Sequence, residues 1–202
     1  MIGIIDYGMG NLHSVKNACD HLQIEALISN DKDTLAKCDR LILPGVGAMK
    51  DCIDTLKKED LFDWIKEQVL EHKKSILGIC LGMQALFESS EENGGVECFG
   101  FLPGKVILMK DERLRIPHIG WNSLEWKPME GYTPIEPSFV YYDHSYYGIG
   151  FDPDDLVAYS HYGDFIIPGF VKRNHIYGTQ FHPEKSGEVG LSILKAFGKG
   201  EL

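Results

Sequence analysis

Ser75-Ile76-Leu77-Gly78-Ile79-Cys80-Leu81-Gly82-Met83-Gln84-Ala85-Leu86-Phe87 is the stretch on which the fold and the chemistry of this chain both turn. Ser75 to Leu77 reads as a strand and Met83 to Phe87 as a helix, with Gly78 and Gly82 flanking the one nucleophile between them. A Gly-x-nucleophile-x-Gly pattern at such a junction describes a sharp strand-to-helix turn with Cys80 at its tip, where the glycines permit a backbone path that Cβ-bearing residues crowd. Exposed N–H groups and the positive end of the helix dipole favour negative charge at that point, which suits a sulfur nucleophile. Taken alone, Cys80 is equally a small buried hydrophobe, because cysteine is among the most buried residue types. Partners elsewhere in the chain decide between the two.

Outward from the elbow, apolar runs alternate with amphipathic segments. Strands are expected at Ile2 to Asp6, Glu25 to Ser29, Arg40 to Leu43 and Ser75 to Ile79, with helices from about Asn11 to Leu22 and Leu61 to His72. The helices follow from spacing: Val15, Ala18, Cys19 and Leu22 share one face, as do Leu61, Trp64, Ile65 and Val69. The alternation predicts βαβ units, an α/β fold with a mainly parallel central sheet and flanking helices. From about Lys105 to Gln180, short aromatic and β-branched runs broken by Gly and Pro predict an antiparallel extension. A last helix is expected from about Glu188 to Phe197. With 202 residues and no convincing linker, the chain reads as one domain, residues 1–202.

Composition narrows the function. The formal charge of −10 argues against nucleic acid as a partner, since phosphate neutralisation needs clustered Lys and Arg. Lys57-Lys58 and Lys73-Lys74 are read as solvated helix ends. The five cysteines are odd in number and contain no C-x-x-C pair, which fits a reducing cytoplasm. Met1 to Asp6 reads as a strand rather than a signal peptide, and no apolar run is long enough to span a bilayer, so no membrane role is expected. His118, His144, His161, His175 and His182 lack metal-ligand spacing, and no metal or cofactor is expected. Gly8-Met9-Gly10 suggests a dinucleotide turn, but His13 stands where the third glycine belongs.

A cysteine nucleophile needs a base, and His182 in Gln180-Phe181-His182-Pro183-Glu184 follows the strand-like run Ile176 to Phe181. In an extended segment residues i and i+2 point the same way, so Glu184 is expected beside His182, orienting the imidazole. That gives triad logic in the order Cys80, His182, Glu184; the same residues also read as a His-Pro turn with a solvated Glu. The residue after the nucleophile, Leu81, offers one N–H to an oxyanion. Pro44-Gly45-Val46-Gly47 offers Val46 or Gly47 as a second donor, although by itself it is an ordinary β-turn. His144-Ser145-Tyr146-Tyr147, after the strand Phe139 to Tyr142, suits a small polar substrate or a half-buried edge strand.

Together, Pro44-Gly45-Val46-Gly47, Gly78 to Gln84 and His182-Pro183-Glu184 resemble the class I (triad) glutamine amidotransferases, over essentially the whole chain. The resemblance implies their flavodoxin-like fold. Asp6-Tyr7-Gly8-Met9-Gly10-Asn11-Leu12, the PGVG turn, His118-Ile119-Gly120-Trp121-Asn122, the HSYY segment and Lys185-Ser186 resemble one branch, the glutaminase subunits of imidazole glycerol phosphate synthase. The resemblance implies that Cys80 attacks the side-chain amide of L-glutamine, that His182 protonates the departing ammonia and then activates water, and that Glu184 orients His182. It implies oxyanion donors at Val46, Gly47 and Leu81, and substrate contacts from Gly47, Gln84, His144, Ser145 and Tyr146. Ammonia would pass to a (β/α)8-barrel cyclase subunit, in a heterodimer whose interface lies at or near Asn11, Trp121 and Lys185. Singly, those three also read as a helix start, a core Trp and a surface Lys. Asp143 departs from the branch, where an apolar residue is usual. Two other readings remain: a paralogue feeding ammonia to a different synthase, and a catalytically silent regulatory module, against which the intact triad weighs.

Overall fold

The computed structural model describes residues 1–202. The first half runs β1 (Ile2–Ile5), α1 (Leu12–His21), β2 (Ala26–Ser29), α2 (Lys32–Ala36), β3 (Arg40–Gly45), α3 (Met49–Lys58), α4 (Leu61–Leu70), β4 (Ser75–Cys80) and α5 (Leu81–Gln84). The second half runs β5 (Ser89–Ser90), β6 (Val96–Glu97), β7 (Lys105–Leu108), β8 (His118–Ser123), β9 (Glu125–Trp126), β10 (Phe139–His144), β11 (Tyr146–Ile149), β12 (Leu156–Tyr162), β13 (Phe165–Arg173), β14 (Ile176–Thr179) and α6 (Gly187–Lys199).

An eight-stranded sheet in the order β2-β1-β3-β4-β14-β13-β12-β9 forms the centre. β2, β1, β3, β4 and β14 are parallel, while β13, β12 and β9 continue it antiparallel. The expected α/β architecture with an antiparallel extension is the one observed. Leu41, Ile42 and Leu43 in β3 and Ile76 and Leu77 in β4 are fully buried, as strands covered by helices on both faces require. Two smaller sheets, β10-β8 and β11-β7-β5-β6, flank this core. No helix is long and apolar enough to cross a membrane.

Several boundaries differ from expectation. The helix after the elbow begins directly at Leu81 and lasts one turn, to Gln84, instead of spanning Met83 to Phe87. α4 stops at Leu70, short of His72, while α6 runs on to Lys199, where Gly200 adopts the left-handed conformation that ends helices. Two helices, α2 and α3, were not anticipated. Lys57 and Lys58 do close α3, opposite its dipole, but Lys73 and Lys74 end no helix. Lys74 instead reaches across to the carbonyls of Leu35 and Ala36 at the end of α2.

The elbow is a clamp between backbones. Its glycines are needed for closeness, not for unusual dihedrals: a Cβ on Gly78 would lie 2.5 Å from the carbonyl oxygen of Gly82, and one on Gly82 would lie 1.8 Å from that of Leu43 in β3. The strained dihedral belongs to Cys80 itself, at φ 55° and ψ −109°. Gly82→Ala must therefore drive α5 away from β3. We expect it to destabilise the fold by upwards of about 3 kcal/mol, read as a lowered urea midpoint with an unchanged slope.

Candidate active site

Strand register brings the site together. In the parallel pair β3 and β4, Gly45 lies opposite Cys80, so the Pro44-Gly45-Val46-Gly47 turn begins beside the nucleophile. In the pair β14 and β4, Thr179 lies opposite Ile79, so the chain reaches His182 three residues beyond the same edge. All three strands present their C-terminal ends, the edge at which ligands bind in open parallel sheets. A cleft of about 280 Å³ opens there, lined among others by Val46, Gly47, Cys80, Leu81, Gln84 and His182.

The other wall is built by β10 and its turn into β11. Asp143, His144, Ser145 and Tyr146 all line the cleft, and the Cys80 thiol donates to the Asp143 carbonyl at 3.6 Å. His182 is fixed through its backbone: its N–H donates to Tyr141 O at 2.9 Å, and the Ser186 hydroxyl donates to its carbonyl at 2.6 Å. The Ser186 oxygen in turn accepts the N–H of Tyr141.

His182 Nδ1 lies 3.0 Å from Glu184 Oε1, with both side chains nearly inaccessible at 4% and 1% exposure. The neighbourhood expected from an extended segment arises differently: Pro183–Lys185 is a single 3-10 turn, which curls the carboxylate back under the ring. The second oxygen, Glu184 Oε2, is buried without a partner. Burial pulls the His182 pKa down, but the Cys80 sulfur and the Glu184 carboxylate beside it outweigh that and raise it above the ordinary imidazole value. The ring is thus suited to carry a proton at neutral pH.

Neither the Val46 nor the Gly47 N–H donates a hydrogen bond within the protein, and Gly47 sits at φ 97°. Leu81 occupies the first position of α5, where an N–H has no intrahelical acceptor. Val46, Gly47 and Leu81 line the same cleft as the Cys80 sulfur.

Of the expected substrate contacts, Gln84 spends its amide nitrogen inside the protein, donating to Tyr146 O at 2.8 Å and to Gln180 Oε1 at 3.0 Å. His144 is buried, with Nδ1 2.9 Å from Tyr146 O. Asp143 is exposed at the cleft rim. Two cleft residues escaped the sequence reading, Glu92 and Pro117. Glu92 Oε2 accepts the Met49 N–H at the start of α3 at 2.7 Å, a bond that no local pattern announces across 43 positions.

Asn11, Trp121 and Lys185 lie outside the cleft. Asn11 precedes α1 without capping it, Lys185 is exposed with its ammonium 5.6 Å from the Tyr141 ring centre, and Trp121 is 59% exposed, not a core residue. On β8 and β10 the burial alternates, leaving Ile119, Trp121 and Phe139 outward, with Asp143 paired opposite Ile119 and Ser123 opposite Phe139 on the same face.

The sequence profile of class-I glutamine amidotransferases matches residues 3–199, and the chain belongs to that family. Among curated proteins, "Imidazole glycerol phosphate synthase subunit HisH" of Geobacillus sp. (strain WCH70) is 45% identical over 213 residues, covering 100% of both chains. The protein of the same name from Halalkalibacterium halodurans is 47% identical over 206 residues, covering 98% of this chain and 95% of its own. A crystal structure of a glutamine amidotransferase superposes with a TM-score of 0.78 at 20% identity, covering 98% of each chain. The structure of PurLQS from Thermotoga maritima gives 0.73 at 18% identity, covering 97% of this chain and 96% of that one. These two likenesses concern the fold.

Proposed function

We propose that this chain, as one domain over residues 1–202, is the glutaminase subunit of an imidazole glycerol phosphate synthase. One observation carries the chemistry: a thiol, a buried imidazole–carboxylate pair and free N–H donors converge on one cleft. Relatives that bear the name of this subunit, aligned along their whole length, support the choice of pathway.

In this mechanism the Cys80 thiol gives its proton to His182 and its sulfur bonds to the carboxamide carbon of L-glutamine. The oxyanion forms against the N–H groups of Leu81 and the Val46-Gly47 turn. The C–N bond then breaks as His182 gives its proton to the leaving nitrogen, releasing ammonia and leaving a γ-glutamyl thioester on Cys80. His182, now neutral, takes a proton from water, whose oxygen attacks the thioester; glutamate leaves and the thiol is restored. Glu184 holds the ring and stabilises its protonated form. Gly47, Gln84, His144, Ser145 and Tyr146 form the substrate wall, and the oxygen of Glu92 not spent on Met49 suits the α-ammonium group.

Ammonia released in a cleft open to solvent is lost unless an acceptor covers it. The partner we assign is the (β/α)8-barrel cyclase that makes imidazole glycerol phosphate and aminoimidazole carboxamide ribonucleotide, in a heterodimer. Its docking face would be Ile119, Trp121 and Phe139 with Tyr141, Lys185 and Asn11, an apolar centre with a polar rim. Five unpaired buried thiols support a cytoplasmic setting. The test is glutamate release with and without the cyclase and its nucleotide ligand, together with Trp121→Ala. Cyclase is expected to raise the rate, and Trp121→Ala to weaken the complex about 30-fold, the loss of a central aromatic anchor. A rate indifferent to cyclase would sink the assignment. Failure to support imidazole glycerol phosphate formation with a genuine cyclase would favour a different synthase, the reading that Asp143 at the cleft rim motivates.

A further inference from the structure

The inner face of the β8-β10 ribbon carries a chain of hydrogen bonds whose direction is fixed from both ends. His118 lies directly opposite His144 in the antiparallel register, and their rings meet, His118 Nδ1 to His144 Nε2, at 3.1 Å. At the far end, His144 Nδ1 faces the carbonyl of Tyr146, which only accepts, so His144 carries its hydrogen on Nδ1 and offers a lone pair at Nε2. At the near end, Asn122 Oδ1 accepts the Ser123 N–H and Asn122 Nδ2 donates to His161 O, which excludes the flipped amide. Asn122 Nδ2 also approaches His118 Nε2 at 3.3 Å, so His118 accepts at Nε2 and carries its hydrogen on Nδ1. The two ends specify the same tautomers independently, with no donor facing a donor.

The Tyr146 carbonyl is the junction with the nucleophile. It accepts from His144 and from Gln84; Gln84 also donates to Gln180 Oε1, and the amide nitrogen of Gln180 faces the Cys80 sulfur at 3.8 Å. Stacking holds His118 in place, with Tyr162 at 4.0 Å and Tyr142 at 4.6 Å between ring centres. Burial pushes both imidazoles below their ordinary pKa, His118 to about 4 and His144 to about 3, so both stay neutral near pH 7.

We propose that His118 is a positioning residue for glutamine binding: as the Nδ1–H tautomer set by Asn122 it fixes the His144 ring, and through it the segment His144 to Tyr146 that lines the cleft. This rests on the reading of the cleft as a glutamine site. Asn122 and His118 alternate along β8 with the outward Trp121, so the strand bearing the proposed docking face and the substrate wall form one hydrogen-bonded body.

His118→Phe keeps the stack and removes both hydrogen bonds. His118→Asn places an amide N–H where Nδ1–H was and restores the bond to His144. In the complex with cyclase, His118→Phe is expected to raise KM for glutamine about 10-fold with kcat within about 3-fold, the signature of lost uniform binding. His118→Asn should return KM to within about 3-fold of the parent. Imidazole formation from added ammonia should be unchanged in both. Long-range proton–nitrogen NMR of the unaltered protein should find both rings protonated on Nδ1 only. A hydrogen on Nε2 of either ring, an unaltered KM in His118→Phe, or an Asn variant as impaired as Phe would overturn the proposal. The NMR measurement uses no glutamine. A parent protein that forms no glutamate would therefore defeat the functional reading and the glutamine-binding role together, whereas wrong tautomers in an active parent would defeat this proposal alone.

Discussion

Cys80→Ala is expected to lower glutamate release by at least about 1,000-fold, since removing a nucleophile leaves only binding and the oxyanion donors to act. The same protein should bind cyclase normally, and the complex should still make product from added ammonia. Retained glutaminase turnover, measured as glutamate formed, would remove Cys80 from the mechanism. Stability supplies a second readout. Alanine keeps a Cβ at φ 55° and so keeps the strain, whereas glycine releases it. Cys80→Gly should therefore be more stable than Cys80→Ala by about 1 kcal/mol, the strain relieved less the entropy of glycine.

Glu184→Gln should lower kcat by about 10,000- to 30,000-fold, the range for replacing or removing a buried carboxylate that orients a catalytic histidine. The amide can keep a contact to Nδ1 but carries no charge, so the protonated ring loses one of the two neighbours that raise its pKa. The basic limb of the pH–rate profile should then move to lower pH; a limb that stays or moves up would show that Glu184 does not act through His182. Stability follows the same sign. A histidine whose pKa is raised on folding adds stability that is complete below its unfolded value, about 6.5, and fades as pH climbs towards the folded one. The pH-dependent advantage of the parent over Glu184→Gln should thus be greatest in mild acid and shrink with rising pH.

The parallel half of the sheet was legible because Leu41 to Leu43 and Ile76 to Ile79 are apolar runs between amphipathic segments, a local signal. α3 carries a helical signal too, since Met49, Cys52, Ile53 and Leu56 recur at helical spacing, but the Pro-Gly turn just before it masks where the helix starts. Cys80 and His182 announced themselves through short motifs. The position of Glu184 was anticipated for the wrong reason, because proline at the head of the turn favours a helical bend over an extended path. Glu92 and the pairing of His118 with His144 were not legible at all. Each depends on how distant segments register, which the hydrophobic pattern of one short strand cannot specify.

The Gly82 backbone pressed against Leu43 has a consequence for anyone designing molecules against this cleft. The backbone beside Cys80 is packed directly on the neighbouring strand, while the N–H groups of Val46 and Gly47 have no acceptor within the protein. An electrophile that needs only the thiol meets a target of constant shape. One that develops an oxyanion also needs the N–H groups of the Val46-Gly47 turn aimed at it, so its potency would report the setting of the turn as well as the nucleophile. Comparing the two inhibitor types separates, on one enzyme, how well the weapon is mounted from whether it is cocked.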